Sequence, residues 1–162
     1  MKKILVFSNG EKIGDGIIKL SLLHEIKKRL PNHKLIWVTN TDSTVYNNKL
    51  KNISNQYIDQ IIEKADLKPF FWQNISHKYD FKKKYYDYIF DTQKAVYRTI
   101  ALKRIKCGQF ISFTANGLFS SLKIDSKKIK KQYYLDDLLS LLNMIRYDKN
   151  DVEFKISIPT LL

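Results

Sequence analysis

The chain has 162 residues, the size of one ordinary domain, and at 44% hydrophobic and 13% aromatic it can bury a real core, which excludes a disordered chain. Its formal charge is +13, from 29 basic and 16 acidic residues. Nucleic acid, an anionic membrane surface and a merely lysine-rich composition are all open readings of that excess. The one cysteine, Cys107, excludes an intramolecular disulfide framework and a multi-cysteine zinc site, and reads as a buried, inert thiol.

The basic start Met1-Lys2-Lys3 is followed only by the apolar run Ile4-Leu5-Val6-Phe7, too short for the core of a signal peptide. No stretch approaches the roughly 18 apolar residues of a membrane span. A soluble, cytoplasmic protein is the expectation.

Residues 3–7 predict a buried strand, ended by Ser8-Asn9-Gly10. Residues 16 to about 30 predict a helix, with Ile18, Leu22, Ile26 and Leu30 on its apolar face and Lys19, Lys27 and Lys28 opposite; Pro31 ends it. Residues 34–39 predict a second buried strand, 46–52 a short helix, and 58–63 a brief strand. Across 66–84 the cluster Phe70-Phe71-Trp72 reads as core, with an acceptor lid or membrane-facing patch as the alternative. Residues 86–90 predict a strand, 96–104 a helix, 109–113 a strand, and Asn116-Gly117 a turn. Residues 132–145 carry Leu135, Leu138, Leu139, Leu142 and Ile145 on one helical face. Residues 152–158 alternate as a terminal strand or linker. Strands alternating with helices predict a three-layer, Rossmann-like α/β domain with a mainly parallel sheet, over residues 1–150, followed by a linker or terminal strand at 151–162.

The loop after the first strand has the spacing G-x-x-x-G-x-G through Gly10, Gly14 and Gly16. That is neither the dinucleotide fingerprint nor a P-loop, because Asp15 stands where the P-loop has its lysine and would repel phosphate. Asp15 itself lies at the carboxyl end of the first strand, at or near a helix start, where open α/β sheets bind ligands. Two roles are open to it and are compatible. It can cap the helix, or its carboxylate can take a proton from a substrate hydroxyl.

Four stretches in order carry a resemblance. They are Lys3-Ile4-Leu5-Val6 through Gly14-Asp15-Gly16, Tyr57-Ile58-Asp59-Gln60-Ile61-Ile62, Tyr86-Asp87-Tyr88-Ile89-Phe90-Asp91-Thr92-Gln93, and Tyr134-Leu135-Asp136-Asp137-Leu138-Leu139-Ser140-Leu141-Leu142. Together they resemble the N-terminal half of glycosyltransferase family 9, the lipopolysaccharide heptosyltransferases. The resemblance implies one of two Rossmann-like domains in a GT-B arrangement. This half would hold the acceptor, and a missing C-terminal domain would bind the ADP-heptose type donor. Transfer would be inverting and would need no metal or other cofactor. It implies that Asp15 is the catalytic base and that Asp91 and Gln93 line the acceptor side. Gly14 would leave room for the acceptor; Lys12, Lys94 and Arg98 stand where acceptor phosphates or carboxylates would lie. The sequence departs from the family after the motif, where Ile18-Lys19-Leu20-Ser21 replaces Thr-Thr-Pro-Ala.

The expected partner is therefore a lipid-linked sugar acceptor of the lipid A and inner-core type, met at the cytoplasmic face of the inner membrane. The chain alone would lack transferase activity. The competing reading is a standalone, non-catalytic binding module of the same fold. Nucleic-acid binding ranks last, for want of a recognition motif. His24, His33 and His77 show no metal-ligand spacing.

Overall fold

The computed structural model describes residues 1–40, 42–70, 72, 73, 79–112, 114–121, 138–140, 142 and 145. Five strands form one sheet: β1 (Lys3–Phe7), β2 (Lys34–Val38), β3 (Gln60–Ile62), β4 (Tyr85–Asp91) and β5 (Lys106–Ser112). Their order is β3-β2-β1-β4-β5, and every neighbouring pair is parallel. The expected mainly parallel sheet is thus found, with no antiparallel pair among the described strands. The α-helices bounded within the described residues are α1 (Ile13–Arg29), the single turn α2 (Lys51–Ser54) and α3 (Val96–Leu102).

The alternation of side chains along each strand builds two cores. Ile4 and Val6 of β1, with Leu35 and Trp37 of β2, pack against Leu22, Leu23 and Ile26 of α1. Leu5 and Phe7, with Ile36 and Val38, face the other way and pack with Ala101 and Leu102 of α3 and with Phe81. Runs of strand residues buried on both faces are what a parallel sheet covered on both sides requires. Of the expected helix at 132–145, residues 138–140 and 142 are helical, with Leu138, Leu142 and Ile145 buried against the α1 face of the sheet and Leu139 partly buried beside them; residues 132–137, 141, 143, 144 and 152–158 and the 151–162 boundary lie outside the described residues.

Several local expectations are corrected. Helix α1 begins at Ile13, three residues before the predicted start, and Ile18 is 39% exposed rather than core. β5 begins at Lys106, not 109. Phe70 and Trp72 are half to two-thirds exposed and stack on each other with ring centroids 4.7 Å apart, so these two are not core; Phe71 lies outside the described residues. No helix among the described residues is long and apolar enough to cross a membrane.

Two fully buried core side chains, Trp37 at Nε1 and Tyr86 at its hydroxyl, have a polar atom without a hydrogen-bond partner among the described residues. Burial pushes the Tyr86 pKa up to about 12. A buried hydroxyl without a partner costs about 1–3 kcal/mol. Tyr86→Phe is therefore expected to hold or raise stability, by about 1 kcal/mol. Urea unfolding checks this, and a clear loss would mean that the hydroxyl is bonded in solution.

Candidate active site

The chain leaves β1 for β2 on one side and returns from β3 to β4 on the other side of β1. The strand order therefore reverses between β1 and β4, and the carboxyl ends of these two strands flank the crevice where such sheets bind ligands. Phe7 and Asp91 are register partners there. Thr92 closes the seam, donating to the Phe7 carbonyl from its backbone N–H at 3.1 Å and from its hydroxyl at 2.8 Å.

On the β1 side the connecting loop folds inward. Gly10 sits at φ +71°, a conformation open to glycine. Glu11 then turns back into the protein and is buried. Its carboxylate accepts a hydrogen bond from Ser8 Oγ at 3.1 Å and another from Thr44 Oγ1. Asn9 makes a second tie to the loop after β2, donating to Asp42 Oδ2 at 2.8 Å and accepting from the Asn40 N–H at 2.8 Å.

Asp15 falls in the first turn of α1, near the positive end of the helix, which favours a carboxylate. It is not the cap. The capping position is Lys12, and no side chain caps the helix there. The Asp15 carboxylate instead meets Lys19 one turn on, with Nζ donating to Oδ2 at 2.5 Å. Lys19 was expected on the solvent face and is only 1% exposed, whereas Asp15 keeps 32% of its side chain in solvent. The same ammonium donates to Ser8 Oγ at 2.8 Å. A chain of contacts therefore runs Glu11–Ser8–Lys19–Asp15 from the end of β1 to the protein surface. The sequence reading missed Ser8, Glu11, Lys19 and Thr44. The available signal was Asp15-x-x-x-Lys19 at helical spacing, with Lys19 three and four residues before the core positions Leu22 and Leu23.

Gly16 follows on the buried side of α1. A Cβ there would stand 2.6 Å from Val45 Cγ2 and 3.0 Å from Leu50 Cδ1, so glycine lets the 45–50 turn pack directly on the helix. Tyr46 completes that contact, donating to the Gly16 carbonyl at 2.7 Å and packing edge-on against Trp37. The 45–50 turn and the start of α1 bound an open cleft of about 590 Å³, lined by Lys12, Gly14, Ser43, Thr44, Asn48 and Lys49 among others. Among the described residues nothing lies within 4 Å of where a Cβ of Gly14 would be, and Gly14 adds no side chain to this mouth.

On the β4 side Asp91 is wholly enclosed. It accepts from the Gln93 N–H at 3.0 Å, from Thr99 Oγ1 at 2.6 Å and from Ser112 Oγ at 3.0 Å, with Thr114 Oγ1 at 3.5 Å. Burial pushes its carboxyl above the ordinary range, against these four hydrogen bonds, which pull it down. Asp91 thus offers no surface to a ligand and instead ties the ends of β4 and β5 to α3. Gln93, Lys94 and Arg98 are the outward members of this group. Lys94 is exposed; Arg98 is half-buried, donates to Gln93 Oε1 at 3.0 Å and lies over the Tyr97 ring.

His24 and His33 pack against Tyr57 and Tyr88, and His77 lies outside the described residues. Among the described residues no three His, Cys, Asp or Glu side chains are grouped as metal ligands. Cys107 is half-buried, with burial pushing its thiol pKa up.

An all-parallel sheet with helices on both faces and polar side chains gathered at its switch point is a Rossmann-like α/β domain. No family model matches the chain, and no curated protein matches it. Among solved structures it is similar to E. coli heptosyltransferase WaaC with ADP, at 16% identity and a TM-score of 0.58 over 93% of this chain and 49% of that one. It is equally similar to E. coli heptosyltransferase WaaC with ADP-2-deoxy-2-fluoro heptose, at 19% identity and a TM-score of 0.58 over 93% of this chain and 50% of that one. At these identities the likeness is one of fold. The chain spans about half the length of the structures it matches.

Proposed function

We propose that the chain is the acceptor-binding half of an inverting, heptosyltransferase-like glycosyltransferase, with Asp15 as general base. The observation that carries this reading is a coincidence of fold and chemistry. A domain matching half of a heptosyltransferase over 93% of its length presents a part-exposed carboxylate at the carboxyl edge of its sheet, one turn into the helix after β1. Oδ2 of Asp15 is held by Lys19, and Oδ1 accepts no hydrogen bond from the described residues. That second oxygen is the one to receive a proton from an acceptor hydroxyl as the hydroxyl attacks the sugar carbon of the donor.

In this reading the acceptor lies across the switch-point edge. Lys12 and Gly14 border it on the α1 side, and Gln93, Lys94 and Arg98 on the β4 side, with Asp91 fixing the Gln93 backbone beneath. The cations suit acceptor phosphates or carboxylates. An acceptor of the lipid A and inner-core type, met at the cytoplasmic face of the inner membrane in lipopolysaccharide synthesis, fits both the charge and the family resemblance. The nucleotide sugar would bind a second domain, which also stabilises the leaving group.

The test is a pair of calorimetric titrations on this chain. A lipid-linked, phosphorylated sugar acceptor is expected to bind, and ADP-heptose is expected to bind poorly or not at all. Low-micromolar affinity for ADP-heptose would overturn the division of labour and move the nucleotide site into this domain. Acceptor binding without transfer when the donor-binding half is supplied would leave a binding module, and normal transfer by an Asp15→Asn variant in that assay would mean that the base is another residue.

A further inference from the structure

We propose that Lys19 is the positioning residue of Asp15: a buried ammonium that holds one carboxylate oxygen and thereby aims the other at the acceptor. The catalytic half of this inference rests on the reading of Asp15 as base; the geometric half does not. Burying an ammonium is unfavourable unless it is paired and hydrogen-bonded, and an aliphatic side chain would serve the packing of α1 better. Leu22, Leu23 and Ile26 already anchor that helix. What Lys19 adds is direction. An ordinary i,i+4 ion pair on an open helix face is loose, because both partners move through solvent. Here the cationic end is enclosed and bonded on two sides. Its side chain is 1% exposed, and its Nζ is held from behind by Ser8 Oγ at 2.8 Å. Ser8 is itself fully buried at the end of β1 and donates to the enclosed Glu11 at 3.1 Å. The bond from Nζ to Asp15 Oδ2 at 2.5 Å therefore ties a first-turn carboxylate to the rigid sheet. Asp15, one-third exposed, would otherwise turn among its rotamers.

The test uses Lys19→Met, which keeps the stem and removes the charge. Three-bond couplings measured by NMR report the χ1 rotamer of Asp15 in this chain. One rotamer is expected in the wild type and averaging in the variant. A single rotamer retained in Lys19→Met would overturn the proposal. Lys19→Leu, which removes both charge and donor and suits the packing of α1, gives the same comparison should Lys19→Met fail to fold. In a transfer assay with ADP-heptose and a lipid-linked sugar acceptor, run with the donor-binding half present, Lys19→Met is expected to lower kcat by about ten- to a hundredfold with the donor KM unchanged. Unchanged kcat, where Asp15→Asn abolishes transfer, would overturn the catalytic half. If Asp15→Asn itself keeps its turnover, the reading of Asp15 as base falls, and the rotamer measurement still decides the positioning.

Discussion

Asp15→Asn is expected to lower transfer by about a hundred- to ten-thousandfold, the usual contribution of a general base. The amide keeps the size of the side chain and an oxygen acceptor for Lys19, but it cannot take the acceptor's proton. Folding will not be untouched. The capping position belongs to Lys12, and Asp15 is the carboxylate facing a buried ammonium. Removing one partner of a fully buried pair costs about 3–5 kcal/mol. With Asp15 one-third exposed and an acceptor oxygen retained, a loss of about 1–2 kcal/mol is expected, or about 2–8 °C in Tm. Turnover measured well below that Tm separates the two effects. Near-normal turnover would mean that the base is elsewhere, and Asp91, wholly enclosed, is no substitute.

Asp91→Ala is expected to damage the fold itself. The change strips a shared acceptor from the Gln93 N–H and from the Thr99 and Ser112 hydroxyls, all gathered at the ends of β4 and β5. Each buried donor left without a partner costs about 1–3 kcal/mol. Thr99 and Thr114 can still bond each other at 2.7 Å, so a total of about 3–5 kcal/mol is expected, on the order of 10 °C in Tm. Asp91→Asn should be tolerated within about 1 kcal/mol. Its oxygen can take the Gln93 N–H while the hydroxyls rotate to accept from its amide.

The pair of variants also carries a pH signature. Burial raises the folded pKa of Asp91 above the ordinary 3.8, so between the two values the folded state holds the proton more tightly than the unfolded chain does. The stability that Asp91 contributes is full below 3.8 and is lost as pH rises through its folded pKa. Relative to Asp91→Asn, the wild type is therefore expected to weaken as pH rises from acid toward neutral. Thermal unfolding of both proteins across that range checks the sign. A wild type that strengthens relative to the variant would mean that the hydrogen bonds, not burial, dominate.

The strands were legible in the sequence because their information is local. Residues 4–7 and 35–38 are continuous apolar runs ended by polar loops, as in a doubly covered parallel strand. Strand–helix alternation was enough for the parallel architecture, and with it for the placing of Asp15 and Asp91 at the carboxyl edge. The resemblance pointed to the fold that the solved structures share.

Only the tertiary structure decided which side chains those positions employ. Lys19 reads as a solvated lysine because nothing within a helical turn of it reveals Ser8, eleven residues back on another element. Glu11 finds Thr44 across 33 residues, and Asp91 finds Ser112 across 21. Phe70 and Trp72 have the residue type of core, yet they are half to two-thirds exposed and stack on each other. Residue type and periodicity determine which face of an element is apolar. Whether a charge is buried, and against what, depends on contacts between elements distant in sequence. For this chain that is the difference between an aspartate at a helix start and a carboxylate held by a buried lysine.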